Sequence, residues 1–298
     1  MNNELVKRVL VALVGIPFGV YVILEGGLFF TFFIAIISTM GLNEFYKMIE
    51  NKGFKPYKYI FLIFNFIMTL ITGYLLLNDQ FVASMIFFIG NALFILIFSF
   101  LYQLWDHTDT PIENNMFSIV GFLYVGILFI CLLFIREFGS IREYMHNLLP
   151  LQINDNVIDS SVWGKLLLIH ISSIWICDSM AYFVGKSFGK HKLFERHSPK
   201  KSVEGAIGGF LSSIIYFILM LYFYIPEINY LFGIGFGLIV GIFGQLGDLV
   251  ESHFKRYSGV KDSSNLIPGH GGILDRFDSI MFTSPLLLIY IFLILFLM

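Results

Sequence analysis

Residues 81–104, FVASMIFFIGNALFILIFSFLYQL, form an uninterrupted run of 24 residues without a charged side chain. About 20 apolar residues in helical form cross the roughly 30 Å hydrocarbon core of a lipid bilayer. The run is therefore long enough for one crossing. It predicts a transmembrane helix and sets the class of fold expected for the rest of the chain.

Eight further apolar stretches predict additional crossings. They lie at about 9–24, 28–43, 59–77, 116–135, 166–185, 206–224, 230–250 and 279–298. The 298-residue chain is 57% hydrophobic and 13% charged, whereas soluble domains carry about 25% charged residues. We therefore predict an all-α fold, a polytopic transmembrane helix bundle of about nine spans. The first two spans are short, and the link 25–27 between them favours a hairpin that is shallow or re-entrant.

The distribution of positive charge predicts the orientation of the bundle, because cytoplasmic loops retain Lys and Arg. With the N-terminus inside, 16 of the 19 Lys and Arg residues fall on the inner side. The remaining three, on the outer side, are Arg136, Arg142 and Lys165. An even number of spans would mix these two groups, so we predict a cytoplasmic N-terminus and an outer C-terminus. The first apolar run resembles a signal peptide but has no Ala-x-Ala-like cleavage site, which favours a retained span.

Two further features exclude other classes of protein. The net charge of −2 provides no basic field for binding nucleic acid. Cys131 and Cys177 both lie in apolar runs, which favours small buried hydrophobic residues over a disulfide or a metal site.

Charge within the spans divides the chain into two predicted domains. Residues 1–150, with spans one to five, have almost no charge inside their helices and are expected to form a scaffold. Residues 151–298, with spans six to nine and their cytoplasmic loops, are expected to form a catalytic membrane domain. The outer loop at about 136–165 is expected to be an irregular cap.

Asp178 is the first candidate functional residue, in the inner third of span six. Ionisable groups at membrane depth are costly, so they are rare and usually functional. A structural role remains the alternative, with the carboxylate hydrogen-bonded to a neighbour inside the bundle.

A cationic loop leads from span six into span seven. Such a loop before a helix N-terminus suits an anion, because free N–H groups and the helix dipole point at the ligand. A topology signal that attracts lipid headgroups is the alternative, and Gly208 and Gly209 could serve helix packing alone. The loop contains Arg196, Ser198, Pro199, Lys200, Lys201 and Gly205.

The densest group of charged side chains lies at 244–279, between spans eight and nine. Helical spacing places four polar residues on one face, and two aspartates repeat the i, i+3 spacing at the start of span nine. The four are Asp248, Glu251, Ser252 and Lys255, and the two aspartates are Asp275 and Asp278. Glycines in the turn at 268–272 let the backbone approach a ligand closely.

This combination of residue types favours phosphoryl chemistry with divalent metal ions. Carboxylate oxygens suit Mg²⁺, which is normally held by one or two carboxylates together with substrate phosphates. Lys and Arg neutralise the charge that spreads over phosphate oxygens. Neither a cysteine nor a cluster of histidines accompanies the acids, which disfavours a zinc site.

The same residues closely resemble the signature of the phosphatidate cytidylyltransferase family, the CDP-diglyceride synthetases. That signature has a Ser, then Lys-Arg, Lys-Asp, a Pro before His-Gly-Gly, and Asp-Arg with a final Asp. The corresponding residues are Ser252, Lys255, Arg256, Lys261, Asp262, Pro268, His270, Gly271, Gly272, Asp275, Arg276 and Asp278. The segments 178–185 and 198–205 also match, so the resemblance covers about residues 175–285.

The resemblance implies Mg²⁺-dependent transfer of CMP from CTP to phosphatidate, which gives CDP-diacylglycerol and pyrophosphate in phospholipid biosynthesis. The implied catalytic residues are Asp248, Lys255, Arg256, Lys261, Asp275 and Arg276. The implied substrate-binding residues are Ser198, Lys200, Lys201, Ser252, His270, Gly271 and Gly272. The implied metal ligands are Asp248, Asp275, Asp178, Asp262 and Asp278, for two metal sites of which the second takes a divalent or a monovalent ion.

The resemblance also implies a bacterial-type plasma membrane. CTP is expected to enter from the cytoplasmic face, and phosphatidate from the inner leaflet through a lateral opening between helices. Whether His270 donates to a phosphate or only shapes its turn stays open, as does a homodimer.

Two other functions compete with this interpretation. A secondary transporter also has acids in membrane helices and segments broken by glycine, but here the charges gather at one face and no inverted repeat is evident. A CTP-dependent lipid kinase would need the same nucleotide and metal and would release CDP instead of pyrophosphate.

Overall fold

The fold is described from a computed structural model that covers residues 3–141, 160–194, 198–267, 269 and 271–297. Nearly all of the regular structure in these ranges is helical. The α-helices are α1 (Asn3–Glu25), α2 (Gly27–Glu50), α3 (Lys58–Leu77), α4 (Phe81–Gln103), α5 (Pro111–Gly121), α6 (Leu128–Arg136), α7 (Ser160–Phe188), α8 (Val203–Tyr224), α9 (Gly233–Ile239), α10 (Gln245–Tyr257) and α11 (Leu274–Leu297).

Shorter elements complete the described fold. Two π-helical segments, Phe122–Ile127 and Val240–Gly244, lead directly into α6 and α10, and 3-10 turns occur at Phe138–Ile141 and Tyr230–Phe232. Strands β1 (Lys192–Phe194) and β2 (Ser198–Ser202) form an antiparallel hairpin before α8.

Eight stretches of helix in the described part of the chain are long and apolar enough to cross a membrane. They are Gly27–Glu50, Lys58–Leu77, Phe81–Gln103, Pro111–Arg136, Ser161–Phe188, Val203–Tyr224, Tyr230–Tyr257 and Leu274–Ile294. The apolar part of α1, Val9–Glu25, is shorter. An all-α polytopic bundle agrees with these helices, while the count of nine spans and the orientation stay predictions.

The second predicted span ends too early. Its apolar pattern was expected to stop at residue 43, but α2 continues to Glu50. The reason is that Phe45, Tyr46 and Ile49 remain buried beyond the polar pair Asn43-Glu44. At its other end α2 is separated from α1 by Gly26, whose φ of 68° breaks the helix.

The chain divides into two compact units. The first comprises Met1–Tyr144 and Tyr257–Arg276, and the second comprises Met145–Arg256 and Phe277–Met298. The predicted domain division at residue 150 stays a prediction; the contacts of 257–276 place this segment in the same unit as α1–α6. The predicted cap at 136–165 lies outside the described residues between 142 and 159.

In the first unit, Arg136 and Glu137 close the junction between α1 and α2. The Arg136 guanidinium donates to the carbonyl oxygens of Ile23 at 2.5 Å and Leu24 at 2.7 Å. The Glu137 carboxylate accepts a hydrogen bond from the N–H of Gly27 at 2.8 Å. A cation therefore meets the C-terminus of one helix and an anion meets the N-terminus of the next, as helix dipoles favour.

In the second unit, small residues bring α7 and α8 close together. A Cβ atom at Gly209 would lie 2.8 Å from the carbonyl oxygen of Cys177 and 3.1 Å from Cβ of Ala181. The packing alternative for the glycines of span seven is therefore realised at Gly209. Both Cys177 and Cys131 are buried and unbridged, as predicted.

Candidate active site

Three carboxylates meet in the second unit. Ligand oxygens of Asp248 and Glu251, from α10, and of Asp278, from α11, all lie within 4.8 Å of one another. Glu251 and Asp278 are buried, and Asp248 is partly exposed. The spacing of Asp248 and Glu251 is one helical turn, so both project from one face of α10.

Close packing of α10 against α11 makes this meeting possible. A Cβ atom at Gly247 would lie 2.7 Å from Cβ of Phe282 and 2.9 Å from the carbonyl oxygen of Asp278. The Ser279 hydroxyl donates to the carbonyl oxygen of Gly244 at 2.9 Å. The helix backbones thus approach closely where Asp248 and Asp278 project.

Two lysines pair with the carboxylates. Lys201, at the end of β2, forms an ion pair with Asp248, and Lys255 forms an ion pair with Glu251 one turn along α10. The side chains of Glu251 and Lys255 are only 1% and 11% exposed, so water screens their charges weakly.

Asp178 extends the cluster from α7. Its carboxylate is within electrostatic reach of Asp248 and Lys201, and Asp278 interacts with both Asp248 and Asp178. We call Asp178, Asp248, Glu251 and Asp278 the acidic cluster. With Lys201 and Lys255 it carries four carboxylates and two ammonium groups, a formal excess of two negative charges.

The predicted cationic loop folds as the β1–β2 hairpin and a capped helix. The Ser202 hydroxyl accepts a hydrogen bond from the N–H of Gly205 at 3.2 Å, which caps α8. Glu204 accepts from the N–H groups of Lys190 and His191 at 3.0 and 3.3 Å. Ser198 is half-buried and Lys200 is exposed, whereas Arg196 lies outside the described residues.

In the first unit, the turn before α11 is organised around Asp275. Its Oδ2 atom accepts hydrogen bonds from the N–H and hydroxyl of Ser263 at 2.9 and 3.0 Å and from the N–H of Gly272 at 2.8 Å. Gly271 has a φ of 83°, and a Cβ atom there would lie 2.6 Å from the same oxygen. Both glycines of the signature are thus explained by backbone conformation and close approach.

A second acid, Glu44 of α2, holds the same turn. Its carboxylate accepts hydrogen bonds from the hydroxyls of Ser263 and Ser264 at 2.9 and 2.6 Å. It also accepts from the backbone N–H groups of Ile273 and Leu274, both at 3.0 Å. Glu44 is 3% exposed, so these four donors surround a buried anion.

The structure brings some of the predicted site residues together in the second unit and assigns others to the first. Asp248 and Asp278 meet beside Lys201 and Lys255, and Asp178 interacts electrostatically with Asp248, Asp278 and Lys201. Ser252 and Arg256 lie on the same helix as Asp248. In the first unit are Lys261, Asp262, Gly271, Gly272, Asp275 and Arg276, of which Lys261, Asp262 and Arg276 are exposed. Pro268 and His270 lie outside the described residues, so the role of His270 stays a prediction.

Sequence reasoning missed two acids, for different reasons. Glu251 was recognised on the polar face of its helix but not among the metal ligands, although its spacing from Asp248 was a sufficient signal. Glu44 was assigned to a loop, and the signal for it was the apolar sequence that continues on both sides. Its partners are more than 200 residues away, a contact that helical spacing does not reveal.

The acidic cluster fits a divalent cation by ligand type and by spacing. Hard carboxylate oxygens are the ligands that Mg²⁺ prefers, and three acids of the cluster have oxygens within 4.8 Å of one another. Which of the predicted carboxylates bind metal stays a prediction, as does a second ion.

Several bacterial proteins resemble this chain over part of its length. It is 56% identical over 114 residues to the phosphatidate cytidylyltransferase of Staphylococcus aureus (strain COL), which covers 38% of this chain and 44% of that protein. The phosphatidate cytidylyltransferase of Staphylococcus haemolyticus is 54% identical over 114 residues, with the same two shares. That of Staphylococcus epidermidis is 48% identical over 123 residues, 41% of this chain and 47% of that protein. The matched segment thus spans less than half the length of these curated relatives.

A family-level comparison covers nearly the whole chain. The sequence profile described as "Cytidylyltransferase family" matches residues 6–294. This range contains both the acidic cluster and the turn around Asp275. The chain therefore belongs to the cytidylyltransferase family.

Proposed function

We propose that this protein is a Mg²⁺-dependent phosphatidate cytidylyltransferase. It transfers CMP from CTP to phosphatidate and releases pyrophosphate, at the cytoplasmic face of a plasma membrane. The observation that carries the proposal is the acidic cluster with its two lysines, built at the ends of apolar helices in a member of the cytidylyltransferase family. The similar staphylococcal proteins are named phosphatidate cytidylyltransferases, which supports the same activity.

The reaction is a displacement at the α-phosphorus of CTP. An oxygen of the phosphatidate phosphate forms a bond to this phosphorus, and the bond to the β-phosphate oxygen breaks with pyrophosphate as the leaving group. The attacking phosphate is already ionised near neutral pH, so it needs no strong general base. Catalysis therefore depends on positioning and on neutralising charge.

The residues of the second unit have separate parts in this reaction. Lys201 and Lys255 neutralise phosphate oxygens, and each is kept beside the site by the carboxylate with which it pairs. Asp248, Glu251 and Asp278 would hold the Mg²⁺ ion, with Asp178 as a further acid of the cluster. When bound, the ion polarises phosphoryl oxygens and neutralises charge in the transition state.

The β1–β2 hairpin supports substrate binding by Ser198, Lys200 and Lys201. Because Ser202 caps α8 and Glu204 binds the backbone at Lys190 and His191, the strand that carries the lysines is held at its C-terminal end, next to Lys201. A fixed pair of cations suits a polyphosphate better than a pair on a mobile loop.

The test is product analysis with the purified full chain in detergent–phosphatidate mixed micelles. CTP, dCTP, ATP, GTP and UTP are supplied in turn with Mg²⁺, and pyrophosphate and lipid products are measured. We expect pyrophosphate and CDP-lipid in equal amounts from CTP, no product without phosphatidate, and loss of activity when EDTA removes the metal. CDP as the only nucleotide product would instead identify a lipid kinase, and no turnover with any nucleotide would refute the enzyme assignment.

A further inference from the structure

Glu44 stands out as a buried charge with no part in the proposed chemistry. It lies in α2, in the half of the chain expected to be scaffold, and the residue is 3% exposed. Burying a carboxylate is unfavourable unless hydrogen bonds compensate for the lost water. The contacts that compensate for the burial of Glu44 therefore need an explanation.

These contacts all go to the segment 263–274. Each carboxylate oxygen accepts one serine hydroxyl and one backbone N–H. Oε1 accepts from Ser264 and Ile273, and Oε2 accepts from Ser263 and Leu274. Leu274 is the first residue of α11, so two of the donors belong to the unsatisfied N–H groups at a helix start.

The same segment carries Asp275. The Ser263 hydroxyl oxygen lies 2.9 Å from the Glu44 carboxylate and 3.0 Å from that of Asp275, so its single proton is shared between the two acids and Ser263 bridges them. A Cβ atom at Gly272 would lie 2.7 Å from the Glu44 carboxyl carbon, so the turn is moulded closely around this group. Moving the Glu44 carboxylate must therefore displace Ser263, Gly272 and, with them, the carboxylate of Asp275.

We infer that Glu44 is a positioning residue for the reaction: it fixes the turn at 263–274 in the conformation that presents Asp275, which the family resemblance implies to be a catalytic carboxylate. The inference rests on the proposed function, since it gives Glu44 a part in that reaction without contact to substrate. It assigns the N-terminal half of the chain a specific contribution to turnover, beyond a scaffold of apolar helices.

The substitution Glu44→Gln tests the inference sharply, because it keeps the size of the side chain. An amide has one oxygen and one NH₂ group, and each position now faces a backbone N–H, from Ile273 or from Leu274. Either orientation of the amide therefore sets an N–H group against another N–H group. The matched control is Glu50→Gln, the same change in the same helix, at a partly exposed residue paired with Lys58 at 3.3 Å.

We expect Glu44→Gln to lower kcat for CDP-lipid formation by about tenfold to a hundredfold, with KM for CTP little changed. Glu50→Gln should match the wild type. Ser264→Ala, which removes one of the four donors, should lower kcat less. The Ser264 hydroxyl donates to Glu44 and also accepts from the N–H of Leu266 at 3.1 Å. If its effect on kcat acts through Glu44, the double variant Glu44→Gln/Ser264→Ala should lose less than the sum of the two single variants.

Amide hydrogen exchange measures the positioning without any substrate. The amides of Ile273 and Leu274 should exchange faster in Glu44→Gln than in the wild type or in Glu50→Gln. Unchanged exchange at these amides, or an unchanged kcat in a Glu44→Gln protein that folds, overturns the inference. If the wild type makes no CDP-lipid, the proposed function fails and removes the part of Glu44 in turnover, while exchange still reports whether Glu44 fixes the turn.

Discussion

At the scale of single residues, the Glu251–Lys255 ion pair is expected to contribute both to the stability of the fold and to the proposed activity. Removing one partner of a buried ion pair leaves an uncompensated charge and costs on the order of 3 kcal/mol. We therefore expect Glu251→Gln and Lys255→Met each to lower the free energy of unfolding in detergent. The double variant should recover part of the stability but none of the activity, because both side chains belong to the proposed site. Recovery of activity in the double variant would contradict this assignment.

Asp248 is the acid whose replacement tests the metal assignment most directly. Asp248→Asn keeps the size of the side chain but removes a hard anionic ligand and the partner of Lys201. We expect the Mg²⁺ concentration for half-maximal activity to rise by about tenfold or more, with the same elution volume on size-exclusion chromatography. Asp79→Asn is the control, since Asp79 is exposed and has a φ of 55°, a conformation that Asn adopts readily. An unchanged Mg²⁺ requirement in Asp248→Asn would argue against a metal at this residue.

The sequence predicted much of the site at this scale, but not all of it. Asp178, Asp248 and Asp278 were identifiable because acids are rare in apolar helices, and the structure groups them. Glu44 was not identifiable from spacing, since its partners Ser263 and Leu274 come close only through tertiary packing. Helical periodicity relates residues within one element and carries no information on such pairs.

At the scale of elements, the contact between α7 and α8 depends on the lack of a side chain at Gly209. A Cβ atom there would lie 2.8 Å from a backbone carbonyl oxygen that cannot rotate away. We expect Gly209→Ala to lower the free energy of unfolding by about 1–3 kcal/mol, as overpacking does, and to reduce activity, since Asp178 follows Cys177 directly. Gly90→Ala in α4, where no atom lies within 4 Å of the added Cβ, should leave both unchanged. If Gly209→Ala and Gly90→Ala had the same free energy of unfolding, α7 and α8 would be able to move apart without loss of stability.

Two elements differ from the predictions for reasons that are local. A π-helical segment, Val240–Gly244, precedes α10, and hydropathy is insensitive to a change of helical winding. The cationic loop is a strand hairpin because Glu204 and Ser202 bind backbone N–H groups on either side of it. π-helical turns are frequent near functional sites, and this one directly precedes the helix that carries Asp248 and Glu251.

At the scale of the whole molecule, the membrane orientation is open to direct test. In a variant with Cys131 and Cys177 replaced by Ala, single cysteines at Lys192 and Asp79 serve as probes, because both positions are exposed. We expect a membrane-impermeant maleimide to label Asp79→Cys in intact cells and Lys192→Cys only after the membrane is opened. The opposite pattern would invert the predicted topology and move the proposed active site to the outer face.

The general architecture was predictable because the bilayer imposes long apolar helices. Most predicted spans have a matching helix, from Lys58–Leu77 onward. The division into units was less accessible, since 257–276 joins the N-terminal helices through contacts distant in sequence. Whether the protein forms a homodimer stays open.

The hydrogen bonds of Arg136 at the junction between α1 and α2 have a consequence for folding during synthesis. Arg136, which binds the carbonyl oxygens of Ile23 and Leu24, is separated from them by 113 and 112 residues. A ribosome must therefore translate three more helical segments before the first helical hairpin receives its cation. In a nascent chain that ends before Arg136, the hairpin of α1 and α2 lacks these hydrogen bonds. The hairpin should therefore be most sensitive to membrane proteases until Arg136 has been synthesised.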